Sequence, residues 1–246
     1  MEPIISVAGV GLRFNKGRRS QSLREKILWR PSSVPEAKSF WALRNVSFDV
    51  MPGEAIGVVG RNGSGKSTLL KLVAGVMLPD EGRIDVRQAT APLIELTGGF
   101  VPELTGRENI TLSAGLHGMS KRMIDEKFDE IVDFSGVGEF LDTPFRHYSS
   151  GMKVRLAFSV ISVLEAPILM VDEVLAVGDQ AFKDKCYARI QERLDEGRTL
   201  FLVSHSAKDL TRFCTRGLYL KGGALVHDGP IGEVMEHYEG DTLKKK

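Results

Sequence analysis

The sequence predicts an α/β fold built on a parallel sheet covered on both faces and interrupted by a helical insertion. Three observations predict it. The runs "APILMV", ending at Val171, and "TLFLV", ending at Val203, are apolar throughout and of strand length, as in strands buried on both faces of a parallel sheet. The segment "EAIGVVG" enters a glycine-rich loop and leaves it as "KSTLLKLVAGV", which reads as strand, loop, helix. From about Thr97 to Phe145 the composition turns charged and helix-forming.

The elements follow in order. A first strand lies near "IISVAGV", and the stretch from Asn15 to Phe40 looks foreign to its surroundings. Then "LRNVSFDV" alternates apolar and polar residues, the period of a half-buried antiparallel strand. In "SKRMIDEKFDEIVDF" the residues Met123, Ile124, Phe128, Ile131 and Val132 fall at helical spacing and predict one buried face. No internal repeat divides the chain, so its 246 residues read as one domain. That domain carries an insertion at 15–40 and a helical subdomain at about 97–152.

Composition narrows the function. A formal charge of +1 argues against a protein coated in cations for nucleic acid. Cys186 and Cys214 have no CxxC or Cys/His spacing and read as isolated reduced thiols of a cytoplasmic protein. "MEPIISVAGV" lacks the pattern of a signal peptide. The most apolar segment, "LAFSVISVLEAPILMV", is broken by Glu165 and Pro167 and is too short to span a bilayer. The chain is therefore not itself expected to form a membrane channel.

The chemistry concentrates in four places. "GRNGSGKS" fits GxxxxGK[ST]. Gly63 and Gly65 let the backbone turn its N–H groups, with those of Gly60, Arg61, Asn62 and Ser64, toward phosphate oxygens. The following helix adds its positive end at Lys66, Ser67 and Thr68. Lys66 would reach the β- and γ-phosphates and Ser67 would ligate Mg²⁺. A buried strand delivers Asp172 to its carboxyl end, suited to hold magnesium, and Glu173 beside it is suited to polarise a water. His205 ends another apolar strand, within reach of a γ-phosphate. Finally, in "YSSGMKVRLAFS" Ser149, Ser150 and Gly151 precede a helix, an arrangement that accepts anions. It lies 21 residues before Asp172, too far along a helix to fold back onto the same phosphates, and could serve a second chain's nucleotide.

These motifs, in this order and spacing, resemble the ATPase subunits of ABC transporters over nearly the whole chain. The resemblance implies the P-loop NTPase ABC-ATPase fold: a RecA-like core, an antiparallel β subdomain and an inserted helical subdomain. "YSSGM" is similar to the family's LSGGQ signature, with Tyr148 and Ser150 in place of Leu and the first Gly. "AVGD", ending at Asp179, matches the D-loop, and His205 the switch histidine. "LIELTGGFVPELTGRENI" and "VDEVLAVGDQAFKDKC" are similar to exporters of O-antigen, capsule and teichoic acid. The family's γ-phosphate-sensing glutamine is missing, and Glu95 is the nearest polar candidate. An aromatic residue of the first strand stacks adenine in that family, which points to Phe14, with Trp41 as the alternative.

The resemblance implies ATP and Mg²⁺, a head-to-tail homodimer enclosing two nucleotides, and a polytopic permease as partner, two copies of each. It implies a peripheral protein on the cytoplasmic side of the bacterial inner membrane that drives a lipid-linked polysaccharide across it. The chain ends soon after the core, so the form expected is the one without a C-terminal carbohydrate-binding domain. Within the insertion, Lys16, Arg18, Arg19, Arg24, Lys26 and Arg30 oppose only Glu25. That excess could contribute up to about 5 kcal/mol near anionic lipid, at roughly 1 kcal/mol per cation.

Other classes fit less well. A soluble ABC ATPase acting on nucleic acid or ribosomes usually adds a second cassette or a coiled coil, and neither pattern occurs here. A GTPase needs NKxD, and "NKGR" at Asn15 lacks the aspartate. A small-molecule kinase leaves "YSSGM", "AVGD" and His205 without a use.

Overall fold

The computed structural model describes residues 2–16, 38–93, 98–172 and 179–243. Strands β1 (Ile5–Lys16), β2 (Lys38–Val50) and β3 (Ala55–Val59) lead into helix α1 (Lys66–Val73). Strands β4 (Glu81–Val86) and β5 (Thr90–Leu93) follow, then helices α2 (Gly106–Leu116), α3 (Lys121–Ser135) and α4 (Ser150–Ser162). The core returns with β6 (Ile168–Val171), α5 (Gln180–Asp195), β7 (Thr199–Val203) and α6 (Ala207–Phe213). Strands β8 (Arg216–Lys221) and β9 (Ala224–Pro230) and helix α7 (Ile231–Leu243) come last.

Two sheets form. One is antiparallel, ordered β2-β1-β4; the other is ordered β5-β6-β7-β3-β8-β9, parallel except for β9. The period of two along a strand divides the apolar residues of the parallel sheet between two cores. Ile56, Val58, Ile168, Met170, Phe201 and Val203 face the antiparallel sheet and α1. Ala55, Val59, Leu169, Val171, Leu200 and Leu202 face the other way and join the apolar residues of α2 to α5. This is why the runs ending at Val171 and Val203 show no alternation: both faces are covered. At the joint between the sheets, Arg216 donates to Asp228, to Glu54 and to the Asp49 carbonyl.

The structure revises several sequence expectations. The stretch taken as foreign from Asn15 to Phe40 begins and ends in regular ladder, since Asn15 pairs with Ser39 and Lys16 with Lys38. Residues 17–37 lie outside the described residues. On α3, Ile124 and Ile131 are buried as expected, whereas Met123 is 38% exposed. Ser149 is the N-cap of α4, and Ser150 and Gly151 already belong to the helix. The hairpin β8–β9 and helix α7 were not anticipated, although "KGGA" between apolar runs is a hairpin signal. Burial pushes the thiols of Cys186 and Cys214 up to about 12, which keeps them protonated and unreactive.

Phe201 is fully buried and stacks on Phe48 of the antiparallel sheet at 6.1 Å. Truncating it opens a void between the sheets that neither can close alone. Phe201→Ala is expected to cost about 3–5 kcal/mol, measured by equilibrium urea unfolding. A loss below about 1 kcal/mol would mean that the two sheets do not share this core.

Candidate functional site

The parallel register Val58↔Val203 and Leu202↔Val171 brings the carboxyl ends of β3, β7 and β6 to one edge. The loop before α1, His205 and Asp172 all leave the sheet there, in the crevice where ligands of open α/β sheets bind. The site is thus assembled by the pairing of three short strands, which brings the loop before α1 to residues more than 100 positions later in the chain.

The loop from Gly60 to Gly65 is held by contacts that exclude side chains. Gly65 has φ 106°, and a Cβ on it would lie 2.6 Å from Leu43 Cδ2 and 2.7 Å from the Ala42 carbonyl oxygen. Ala42 is skipped where the β1–β2 ladder shifts register between Leu12↔Leu43 and Arg13↔Trp41, so its carbonyl leaves the ladder at a bulge. The same oxygen stands 2.8 Å from where a Cβ of Gly223 would be. Gly223, in the β8–β9 turn, donates its N–H to the Ser64 carbonyl at 3.1 Å and accepts from Arg44 N at 2.8 Å.

Lys66 is buried at 5% exposure, and its ammonium donates to the carbonyls of Gly60 at 2.9 Å and Arg61 at 3.3 Å. No side chain caps the N-terminus of α1, and its first turn carries no acid. Asn62, Gly63, Gly65, Lys66, Ser67, Thr68 and His205 line an open cleft of about 440 Å³. A buried cation, uncapped N–H groups and a serine hydroxyl suit a polyphosphate chelated to a hard metal ion. The chain after β7 is fixed by Ser204 Oγ, which accepts from Ser206 N at 3.0 Å, while Ser206 caps α6 and leaves His205 exposed at the cleft.

The predicted residues do not all converge. Asn62, Gly63, Gly65, Lys66, Ser67, Thr68 and His205 gather at the cleft, with Gly60, Arg61 and Ser64 in the same loop, and Asp172 lies at the same sheet edge. Ser149, Ser150 and Gly151 sit at the start of α4 and are not among the residues lining it. Asp179 caps α5, accepting from Phe182 N at 2.9 Å, and pairs with Arg155 of α4. Glu95 and Glu173 lie outside the described residues. Phe14 is 38% exposed and faces Phe40 across the ribbon at 5.8 Å. The guanidinium groups of Arg13 and Arg44 lie 4.9 Å and 5.9 Å from the ring centroid of Trp41, which stands against Gly11.

Two features escaped the sequence reading. Phe40 became a partner of Phe14 only through strand register. Asn109 is fully buried and closes the turn at 101–105, accepting from Val101 N and donating to the carbonyls of Val101, Leu104 and Thr105. The signal was present nearby: "TGRE" is a capping box, and Thr105 and Glu108 form it at the start of α2.

Residues 43–176 match the family model described as ABC transporter. The chain belongs to the ABC transporter family. The matched region is that family's ATPase domain. This cassette is 40% identical to the O-antigen export system ATP-binding protein RfbB of Klebsiella pneumoniae, over 97% of the chain and 98% of that protein. It is 43% identical to the ABC transporter protein AbcA of Aeromonas salmonicida, over 96% of the chain and 76% of that protein. Similarity to the teichoic acids export ATP-binding protein TagH of Bacillus anthracis is 44% over 83% of the chain, but spans only 37% of TagH. Among solved structures, an ATP-binding subunit of an ABC transporter matches with TM-score 0.74 at 22% identity, over 96% of the cassette and 93% of that chain. A dimeric ATP-binding cassette bound to ADP and Pi matches with TM-score 0.73 at 20% identity, over 92% of this chain and 98% of that one. The fold is therefore the ABC-ATPase fold expected from the motifs.

The cassette's departure from LSGGQ at Tyr148 has a structural counterpart. Tyr148 is buried at 4% exposure, its hydroxyl donates to the Phe140 carbonyl at 2.7 Å, and its ring packs on Phe145. That hydroxyl stands 2.1 Å from where a Cβ of Gly106 would lie, so the tyrosine fits only because α2 starts with glycine. Gly106→Ala is expected to destabilise the protein by about 1–3 kcal/mol through overpacking. Tyr148→Leu in the same chain should recover most of that loss. Thermal unfolding of the single and double variants checks it, and strictly additive losses would contradict the fit.

Proposed function

We propose that the cassette is the ATP-hydrolysing motor of an exporter that drives a lipid-linked surface polysaccharide across the bacterial inner membrane. The observation that carries this reading is the end-to-end similarity to RfbB, named for O-antigen export, combined with the assembled polyphosphate cleft. No helix among the described residues is long and apolar enough to cross a membrane. The similarity to export ATP-binding proteins supports a separate polytopic permease as the partner. The cassette would bind that permease peripherally on the cytoplasmic side, two copies with two, and would act as a single domain whose 97–152 segment passes the motion on.

The roles follow from the chemistry of each group. Gly60 to Thr68 would wrap the phosphates, with Lys66 as the fixed cation. Ser67 and Asp172 would hold Mg²⁺, which when bound neutralises charge on the β- and γ-phosphates. Glu173 would orient the attacking water and accept its proton, and His205 would donate to the γ-phosphate. Phe14 would stack adenine, and Glu95 would stand where relatives sense the γ-phosphate. Ser149, Ser150, Gly151 and Asp179 would close from a second chain, because Ser149 to Gly151 open α4 away from the cleft lining of their own protomer. Two chains facing head to tail would then enclose two nucleotides.

Glu173→Gln is expected to bind ATP and dimerise while turnover falls about 10²–10⁴-fold, the usual value of a general base. Lys66→Ala should lose nucleotide binding itself, since the buried cation has no substitute. Single-turnover hydrolysis and equilibrium ATP binding separate the two, and unchanged turnover in Glu173→Gln would refute its role. The partner is tested by pull-down of tagged Glu173→Gln with ATP from detergent-extracted native membranes. A polytopic protein recovered in near-equal amount supports the transporter reading; ribosomes or DNA without one would overturn it. Reversing Arg18, Arg19 and Arg24 to Glu should abolish export but spare ATPase activity, if these cations meet the diphosphate of the lipid-linked glycan. Unchanged export would remove that role.

A further inference from the structure

Two histidines meet away from the residues that line the nucleotide cleft, and the roles assigned above give them nothing to do. His227 lies on β9 and His237 on α7, and their ring centroids stand 4.3 Å apart at an interplanar angle of 41°. Both line an open cavity of about 480 Å³ between the β8–β9 hairpin and α7. The Nε2 of His227 is buried and has no hydrogen-bond partner among the described residues. A buried nitrogen left in this way costs free energy until a ligand or an ordered water satisfies it.

The elements that carry the pair are firmly seated. Val234 and Met235 of α7 are buried, and Tyr238 packs edge-on against Tyr219 of β8 at 5.6 Å. Asp241, in the cavity wall, accepts from Tyr219 Oη at 3.0 Å and from Lys221 Nζ at 2.6 Å. That carboxylate is therefore committed to the wall. Glu233 differs: it lies one helical turn before His237, on the same face of α7. Its Oε2 and the His227 Nε2 fall 3.8 Å and 3.5 Å from the point where a Cβ on Gly229 would stand. Two imidazoles beside a carboxylate suit a cation that takes nitrogen ligands.

We propose that His227 and His237 bind a divalent transition-metal ion of the Ni²⁺, Cu²⁺ or Zn²⁺ class and so tie α7 to β9. Imidazole nitrogens lie about 2.0–2.1 Å from such an ion, hence about 3–4 Å from each other. Rings with centroids 4.3 Å apart can each present a nitrogen at that spacing. Among the described residues no third ligating side chain is gathered with the pair. The remaining positions go to water or, after a change of rotamer, to Glu233. Imidazole suits these ions, whereas Mg²⁺ prefers carboxylate, carbonyl and water oxygens. The site is therefore distinct from the magnesium chelated with ATP, and it does not depend on the transport reading.

The experiment is calorimetric titration of the full chain, free of any affinity tag and stripped of metal by chelation, with NiCl₂, ZnCl₂ and MgCl₂. A single Ni²⁺ or Zn²⁺ is expected to bind per chain, and Mg²⁺ at the same concentration should not displace it. His227→Gln and His237→Gln should each weaken binding by at least about tenfold, the lower bound for losing even an outer-shell partner. His147→Gln is the control, because its Nε2 already accepts from Arg146, and its affinity should match the wild type. Cu²⁺ supplies a second readout. Its electron paramagnetic resonance should show coupling to two imidazole nitrogens in the wild type and to one in each variant. His237 is exposed, so His237→Gln carries the test alone if His227→Gln fails to fold. Absence of saturable binding, wild-type affinity in His237→Gln, displacement by Mg²⁺, or a single coupled nitrogen in the wild type overturns the site.

Discussion

The carbonyl of Ala42 is the point on which the nucleotide cleft is built. It leaves the β1–β2 ladder at a bulge and fills the space that side chains on Gly65 and Gly223 would need. One backbone oxygen of the antiparallel sheet therefore touches both the loop before α1 and the β8–β9 turn. Hydrogen bonds from Gly223 to Ser64 and from Arg44 to Gly223 close the triangle. With the loop clamped in this way, the N-terminus of α1 needs no side-chain cap, and Lys66 can be buried on loop carbonyls with its charge facing the cleft. A buried cation beside uncapped N–H groups is an arrangement that suits a polyphosphate.

The other side of the sheet serves a different purpose. The apolar residues of α2, α3 and α4 form one continuous core with Leu169, Val171, Leu200 and Leu202. A helical layer packed in this way cannot tilt without straining the sheet edge from which Asp172 and His205 emerge, because packed interiors transmit displacement instead of absorbing it. The polar ties of the layer add direction to this. Arg189 of α5 reaches Glu130 of α3, held below the usual carboxylate range chiefly by its bond to Lys127, and Arg155 of α4 reaches Asp179. The helices of the layer are thus tied to α5 through named side chains.

The departures from the family's signature are local and compensated. Tyr148 replaces leucine, and the larger ring is accommodated by Gly106 together with a hydrogen bond to Phe140. Ser149 caps α4, and Ser150 stands exposed on its first turn. An anion at such a helix end is held by backbone N–H groups, which no side-chain replacement removes.

The sequence by itself determined what is local. A glycine-rich loop between a strand and a helix, a histidine after an apolar run, small residues opening a helix and the absence of alternation in buried strands are all written within a few residues. Their physical causes, φ freedom, helix-end partial charges and two-sided burial, act at that range. Tertiary structure decided whatever depends on two distant segments meeting. Strand register paired Phe14 with Phe40 and carried β1 and β2 beyond the expected limits of the insertion. The bulge at Ala42 explained why Gly65 and Gly223 must both lack a side chain. Met123 sits at helical spacing yet is exposed, because α3 presents a narrower face to its neighbours than the periodicity implied. The Tyr187–Asp209 bond joins residues 22 apart on separate helices, and no pattern in one chain announces it. Spacing fixes which groups a segment can offer; only the packing of segments fixes which groups they meet.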